Sequence, residues 1–239
     1  MDRLVLVHGF TQTGASWRPV RTLFESAGHD VDTPDAPGHG DRAAEPADLW
    51  RGAEVLAAGR ARSTWVGYSM GGRLALHIAL AHPPCVERLV LVGTSPGLAG
   101  EPERAARRAA DEALAGRVLE IGVAPFLDEW LAQPLFASLP PEAADKDARL
   151  ANTADGLAAS LRLASTGAQD SLWDRLGEIT VPTLLVVGGN DGKFRDLAFA
   201  MAQRLPQAAV VELGGCGHAC HLEAPERFAD AVIDFIEDN

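Results

Sequence analysis

Short runs in which every position is apolar alternate with longer stretches in which apolar residues return every three or four positions. R-L-V-L-V at 3–7 is the first such run, and it stops at His8-Gly9. A helical period follows from Trp17 to Ala27, with Val20, Leu23 and Phe24 on one face. A second strand-like piece, His29 to Thr33, runs into the turn-rich D-A-P-G-H-G-D. Residues 63–68 read as a third strand and Met70 to Ala81 as a helix burying Leu74, Ile78 and Ala81. R-L-V-L-V-G at 88–93 and T-L-L-V-V-G at 183–188 are further strands. A helix near Leu197 to Leu205, the strand A-V-V-E-L at 209–213 and a helix from Pro225 to Ile236 complete the pattern. Strands apolar throughout, each followed by an amphipathic helix, predict a parallel sheet covered on both faces.

Between Ser95 and Asp174 the pattern changes to helices only, in a stretch rich in Ala, Arg and Glu. The expected organisation is therefore an α/β core from residues 1–95 and 175–239, with residues 96–174 inserted as a helical cap.

W-V-G-Y-S-M-G-G at 65–72 lies where the third strand meets its helix. G-x-S-x-G in that context resembles the nucleophile elbow of the α/β-hydrolase superfamily, and it implies that fold, with a mostly parallel sheet. Glycines relieve crowding where a strained serine turns the chain, and the helix N-terminus favours developing negative charge. An N-cap serine is the plain alternative for Ser69. In the superfamily's chain order an acid and then a histidine follow. Asp191, in G-G-N-D after a buried strand, and His218, in G-C-G-H after the next, stand where a triad needs them. His8-Gly9-Phe10 ends the first strand, so the backbone N–H groups of Phe10 and Met70 are the expected oxyanion donors. His8 and His39 are read as braces of their loops. C-G-H-A-C-H at 216–221 has ligand-type residues but not the spacing of a zinc or haem site, so no metal or cofactor is expected, and Cys216 and Cys220 are read as packing.

Charge narrows the partners. A formal net charge of −12, with no concentrated acidic tail, argues against nucleic acid and anionic membrane surfaces. No apolar run reaches the ~18–20 residues of a membrane span. The N-terminus lacks a signal-peptide layout, and three cysteines suit a reducing compartment, so a cytoplasmic protein is expected. The sequence leaves oligomeric state open and is consistent with a monomer. All basic residues except Lys146 and Lys193 are arginine, so a small anionic substrate would be held by a few guanidinium groups, whose planar fork suits carboxylates.

Beyond the triad, the chain resembles the 2-succinyl-6-hydroxy-2,4-cyclohexadiene-1-carboxylate synthases of menaquinone biosynthesis. The likeness rests on G-Y-S-M-G-G-R at 67–73, S-P-G-L at 95–98, E-R-A-A-R-R-A-A-D at 103–111, W-L-A-Q-P-L-F at 130–136, S-T-G-A-Q-D-S-L-W at 165–173 and G-N-D-G-K-F at 189–194. It implies a lyase that eliminates pyruvate from a cyclohexene bearing three carboxylates, with the triad serine acting as base. Arg73, one helical turn after Ser69, can lean back over the elbow. Arg107, in R-x-x-R-x-x-x-D, is the expected second carboxylate binder, with Arg104 and Arg108 as alternatives and Arg162 as a third candidate. Tyr68, Trp130 and Trp173 are expected to wall the pocket, with Gln169 and Ser171 at its entrance. The chain departs from the family pattern at Leu131, where tyrosine is usual, and at Ser165 and Asp170. A pocket-facing Asp170 would oppose a trianion. The same triad equally allows a carboxylesterase or C–C bond hydrolase, and a silent ligand-binding fold would not need all three members.

Overall fold

The computed structural model describes residues 2–239; Met1, at the start of the expected first core segment, lies outside the described residues. Six strands, β1 (Arg3–Val7), β2 (Asp30–Asp32), β3 (Ser63–Tyr68), β4 (Val86–Val92), β5 (Thr183–Gly188) and β6 (Ala208–Leu213), form one sheet in the order β2-β1-β3-β4-β5-β6. Every pairing is parallel. Alternate residues of the central strands enter different cores. Val5, Val7, Trp65, Leu89, Leu91, Leu185 and Val187 pack on one face. Leu4, Leu6, Val66, Val90, Val92, Leu184 and Val186 pack on the other. This is why these strands carry apolar residues at every position rather than every second one.

Among the described residues the α-helices are α1 (Arg18–Ser26), α2 (Leu49–Ala57), α3 (Met70–Ala81), α4 (Glu101–Ile121), α5 (Val123–Leu131), α6 (Lys146–Arg149), α7 (Ala154–Ala164), α8 (Gly192–Ala202), α9 (Cys220–Glu223) and α10 (Pro225–Glu237). Helix α10 buries Phe228, Ala229, Val232, Phe235 and Ile236, a stripe of helical period laid on the second core. Helix α3 is buried almost all round, which fits its near-continuous apolar sequence.

Three elements differ from expectation. Helix α2 has no counterpart in the sequence reading; it starts where the Asp48 carboxylate accepts the Arg51 N–H at 2.8 Å. Helix α8 begins at Gly192, not near Leu197, because Asp191 itself caps it by accepting the Phe194 N–H. The segment expected as one helix from Trp17 opens with a 3₁₀ turn at Gly14–Trp17.

Between β4 and β5 the chain is helical. Helices α4 and α7 pack together there around Ala115, Val118, Phe126, Leu157, Ala158 and Leu161. Phe10, from the end of β1, packs against both this cap cluster and the first core. Strand register brings the loops that matter to one edge. Val7 pairs with Gly67, Tyr68 with Val92, Val92 with Val186 and Gly188 with Leu213. The chain after β1, β3, β5 and β6 therefore emerges at the carboxyl edge, beneath the cap.

Candidate active site

Ser69 sits between β3 and α3 with φ +50° and ψ −105°, a conformation that costs a non-glycine residue about 1–3 kcal/mol. The turn closes only because its flanks lack side chains. A Cβ on Gly67 would come within 2.4 Å of the Gly71 carbonyl, and one on Gly71 within 2.0 Å of the Val7 carbonyl. These contacts, rather than capping, explain the glycine pattern: no side-chain cap bond from Ser69 is present.

His218 Nδ1–H donates to Asp191 Oδ2 at 2.7 Å. That bond leaves the Nε2 lone pair for the Ser69 hydroxyl, whose Oγ lies 3.2 Å away. The structure thus brings Ser69, Asp191 and His218 together in hydrogen-bonded order. His218 is nearly buried, with Phe194 4.4 Å from it centroid to centroid and Tyr68 5.3 Å. The imidazole is thus placed to take the Ser69 proton at the cavity floor. Phe10 and Met70 line the same cavity as Ser69, and the Phe10 N–H meets no backbone acceptor among the described residues.

His8 and His39 stay out of the cavity lining. His8 Nδ1–H donates to the Gly9 carbonyl at 2.8 Å while its Nε2 accepts the Ala36 N–H at 2.9 Å. Burial pushes its pKa down to about 4, and that of His39 to about 3. Both rings are therefore neutral fixtures. His221 is likewise buried and neutral, packed at a tilt between Trp17 and Tyr68. Cys216 and Cys220 pack in the second core.

The cavity above the triad has a volume of ≈ 890 Å³ and draws its walls from both core and cap. Tyr68, Arg73, Arg107, Trp130 and Trp173 all reach it. Arg73 is buried, and its Nη1 donates to the Ala164 carbonyl on α7. Burial first, then the neighbouring Arg107, lowers its pKa to about 9, with Asp111 acting in the opposite sense. Arg107 is held by Asp111, whose two carboxylate oxygens lie 2.8 and 2.9 Å from Nε, so its outer nitrogens stay free. Burial also raises the pKa of the Tyr68 phenol, which stays protonated. The Trp173 indole N–H donates to the Gly97 carbonyl at 3.1 Å. The Trp130 indole N–H is buried without a partner among the described residues.

Other expected residues lie elsewhere. Arg104 and Arg108 pair with Glu101 and do not line this cavity. Arg162 is corrected more strongly. It is exposed on α7 and forms a two-point pair with Glu112 of α4 at 2.6 and 2.8 Å. Gln169 is buried off the cavity, and Ser171 is not part of its wall. Asp170 is exposed and also absent from the wall, so its carboxylate does not confront an anion there. Ser165 does line the cavity, whereas Leu131 does not.

The sequence reading missed Arg149. It ends α6, is buried, lines the cavity, and donates to the Ala144 carbonyl at 2.7 Å and to Thr11 Oγ1. Its pKa is lowered to about 10, chiefly by burial. Asp145, four residues earlier, signals an ordinary surface pair on one helix. Asp145 instead has φ +44° and stands outside α6, which turns Arg149 inward. Lys193, also in the wall, stays exposed at the rim over the Phe194 ring.

A family model described as the alpha/beta hydrolase family matches residues 4–231, which makes this chain a member of that family. The chain is 34% identical over 249 residues to the putative 2-succinyl-6-hydroxy-2,4-cyclohexadiene-1-carboxylate synthase of Bacillus subtilis (strain 168), covering 98% of this chain and 90% of that one. It is 34% identical to the synthase of the same name from Salmonella paratyphi C (strain RKS4594), covering 98% and 93%. The structure of MenH from S. aureus matches at a TM-score of 0.91 and 32% identity, over 99% of this chain and 94% of that one. Within the hydrolase fold, the chain belongs to the 2-succinyl-6-hydroxy-2,4-cyclohexadiene-1-carboxylate synthase family. A thermophilic esterase from Thermogutta terrifontis, in its malate-bound structure, shares the fold at a TM-score of 0.86 and 24% identity.

Proposed function

We infer that this protein is a lyase of menaquinone biosynthesis that eliminates pyruvate from a succinyl- and carboxy-bearing cyclohexene, with Ser69 as the base. One observation carries the reading. Arg73 and Arg149 are buried in the wall of the triad cavity, and each guanidinium bonds only neutral acceptors, with no carboxylate in salt-bridge range among the described residues. Buried cations without an anion cost several kcal/mol each, and a polycarboxylate substrate would supply that anion. Arg107, already half-satisfied by Asp111, is the third contact, and the unpartnered Trp130 N–H is a further donor. An ester with an apolar acyl group would leave both buried guanidinium groups unpaired.

The chemistry follows from the triad geometry. Asp191 fixes the His218 tautomer, and His218 Nε2 receives the Ser69 proton as Ser69 Oγ takes a proton from the substrate ring. The electron pair of that C–H bond spreads through the conjugated substrate, where the Phe10 and Met70 N–H groups stabilise the anionic oxygen. It then breaks the C–O bond and expels the enolate of pyruvate, which takes up a proton to become pyruvate, and His218 gives up the proton it had received. A small charged substrate suits a cytoplasmic enzyme, and a monomeric one is proposed.

The test is pyruvate release from the synthase substrate, run beside a panel of p-nitrophenyl esters. Pyruvate release with slow ester turnover is expected. Fast ester turnover without pyruvate would assign the site to a hydrolase.

A further inference from the structure

The loop that carries the Phe10 N–H is held from the cap by groups outside the proton chemistry. Residues 9–12 form a turn closed by the Gln12 N–H on the Gly9 carbonyl at 3.2 Å. Its third residue, Thr11, has φ +67°. A positive φ at that place in a turn favours glycine or asparagine, and a β-branched side chain opposes it. Two cap residues grip Thr11. Arg149 Nη1 donates to Thr11 Oγ1, and Asn152 Nδ2 donates to the Thr11 carbonyl at 2.8 Å. Asn152 is itself fixed, since Nδ2 also donates to the Arg149 carbonyl at 2.9 Å and Oδ1 accepts the Gly40 N–H at 3.1 Å. Thr11, Arg149 and Asn152 are 0%, 3% and 5% exposed, so water does not compete for these bonds.

We propose that Asn152 and Arg149 are positioning residues for the oxyanion hole: from the cap they clamp Thr11 in its left-handed conformation and so set where the Phe10 N–H points. Without the clamp the turn relaxes toward the ordinary negative φ at Thr11, and the peptide planes around Phe10 rotate with it. A substrate carboxylate on Arg149 and the anionic oxygen at Phe10 are then mechanically linked through one residue. This rests on the reading above, in that Phe10 is taken as an oxyanion donor, but it holds for elimination and ester hydrolysis alike.

Asn152 does not line the cavity, so Asn152→Ala separates positioning from substrate contact. Expected is a fall in kcat of about tenfold with KM within about threefold, for pyruvate release and for p-nitrophenyl acetate alike. In a Thr11→Gly background the left-handed conformation carries no side-chain penalty, and the same substitution should cost only about twofold in kcat. A merely structural role would lower Tm and leave the kcat loss equal in both backgrounds, and that equality would overturn the proposal. A rise in KM with kcat unchanged would overturn it as well. Should Asn152→Ala not fold, Thr11→Val, which deletes only the Oγ1 acceptor, decides: a lowered kcat supports the clamp and an unchanged kcat overturns it. A wild-type protein that hydrolyses the ester but releases no pyruvate would sink the lyase reading and leave the clamp to be judged on the ester. One that turns over neither substrate would sink both.

Discussion

The floor and the roof of the cavity are specified in different ways. On the floor, Ser69, Asp191 and His218 each follow directly from the end of a strand, and parallel register alone brings the loops after β3, β5 and β6 to one edge. On the roof, Arg107 and Arg149 come from α4 and α6, helices whose polar faces resemble many solvated surfaces. Arg107 and Arg162 make the point sharply. Both are cap arginines with a carboxylate partner, Asp111 and Glu112 respectively. Asp111 is buried and leaves the outer nitrogens of Arg107 facing the cavity, whereas Glu112 holds Arg162 on the outer surface. If, as proposed, the floor reacts and the roof selects for charge, damage to each should register mainly in a different kinetic constant.

The largest effect is expected on the floor. Ser69→Ala should lower kcat for pyruvate release by roughly 10³-fold or more with little change in KM. A change confined to KM would mean that the floor binds rather than reacts. On the roof and wall, Arg73→Ala should reduce kcat/KM by about 10- to 100-fold, mostly through KM, the usual worth of a charge-assisted bond, and Arg149→Ala by a similar factor divided between KM and kcat, because Arg149 also holds Thr11. Arg107→Ala should cost at the lower end of that range, because Asp111 already draws on its charge.

A smaller effect is expected from pH. His8 and His77 are depressed to about 4 and His39 to about 3, in each case chiefly by burial. Their folded pKa values lie below those of the unfolded chain, so between about pH 6.5 and 4 the unfolded state binds more protons. Stability should therefore be full above pH 6.5 and fall progressively as pH drops toward 4, as read from urea midpoints at several pH values. A midpoint that holds steady from pH 7 to 4.5 would show that these rings accept protons without breaking their contacts. Least of all should Arg162→Ala matter: its exposed pair is worth little, and kcat and KM should stay within about twofold of wild type. A marked KM rise there would return Arg162 to the substrate site and erase the contrast with Arg107.

Legibility in the sequence tracked how local each determinant was. The elbow could be read because strand, glycines and helix are contiguous, and the acid and histidine because each closes an apolar run. Helix α2 is masked in the sequence because the segment between β2 and β3 opens with turn residues, and its Asp48 cap lies directly after that turn-rich stretch. The start of α8 is hidden in the sequence because Asp191 both bonds His218 and caps the helix, and G-G-N-D reads first as a loop. Arg149 could not be picked out because its neighbour Asp145 mimics a helical partner until the left-handed turn at that residue is known.

By itself, then, the sequence determined the α/β-hydrolase sheet, the placing of Ser69, Asp191 and His218 beyond strand ends, and the chain's membership of the synthase family. These follow from periodicity and short-range spacing, which backbone geometry converts directly into position. The tertiary structure decided which arginines line the cavity, that Asp170 does not, and how Thr11 is held. Each of those depends on how amphipathic cap helices rotate and dock over the sheet edge, and packing between segments more than a hundred residues apart sets that rotation.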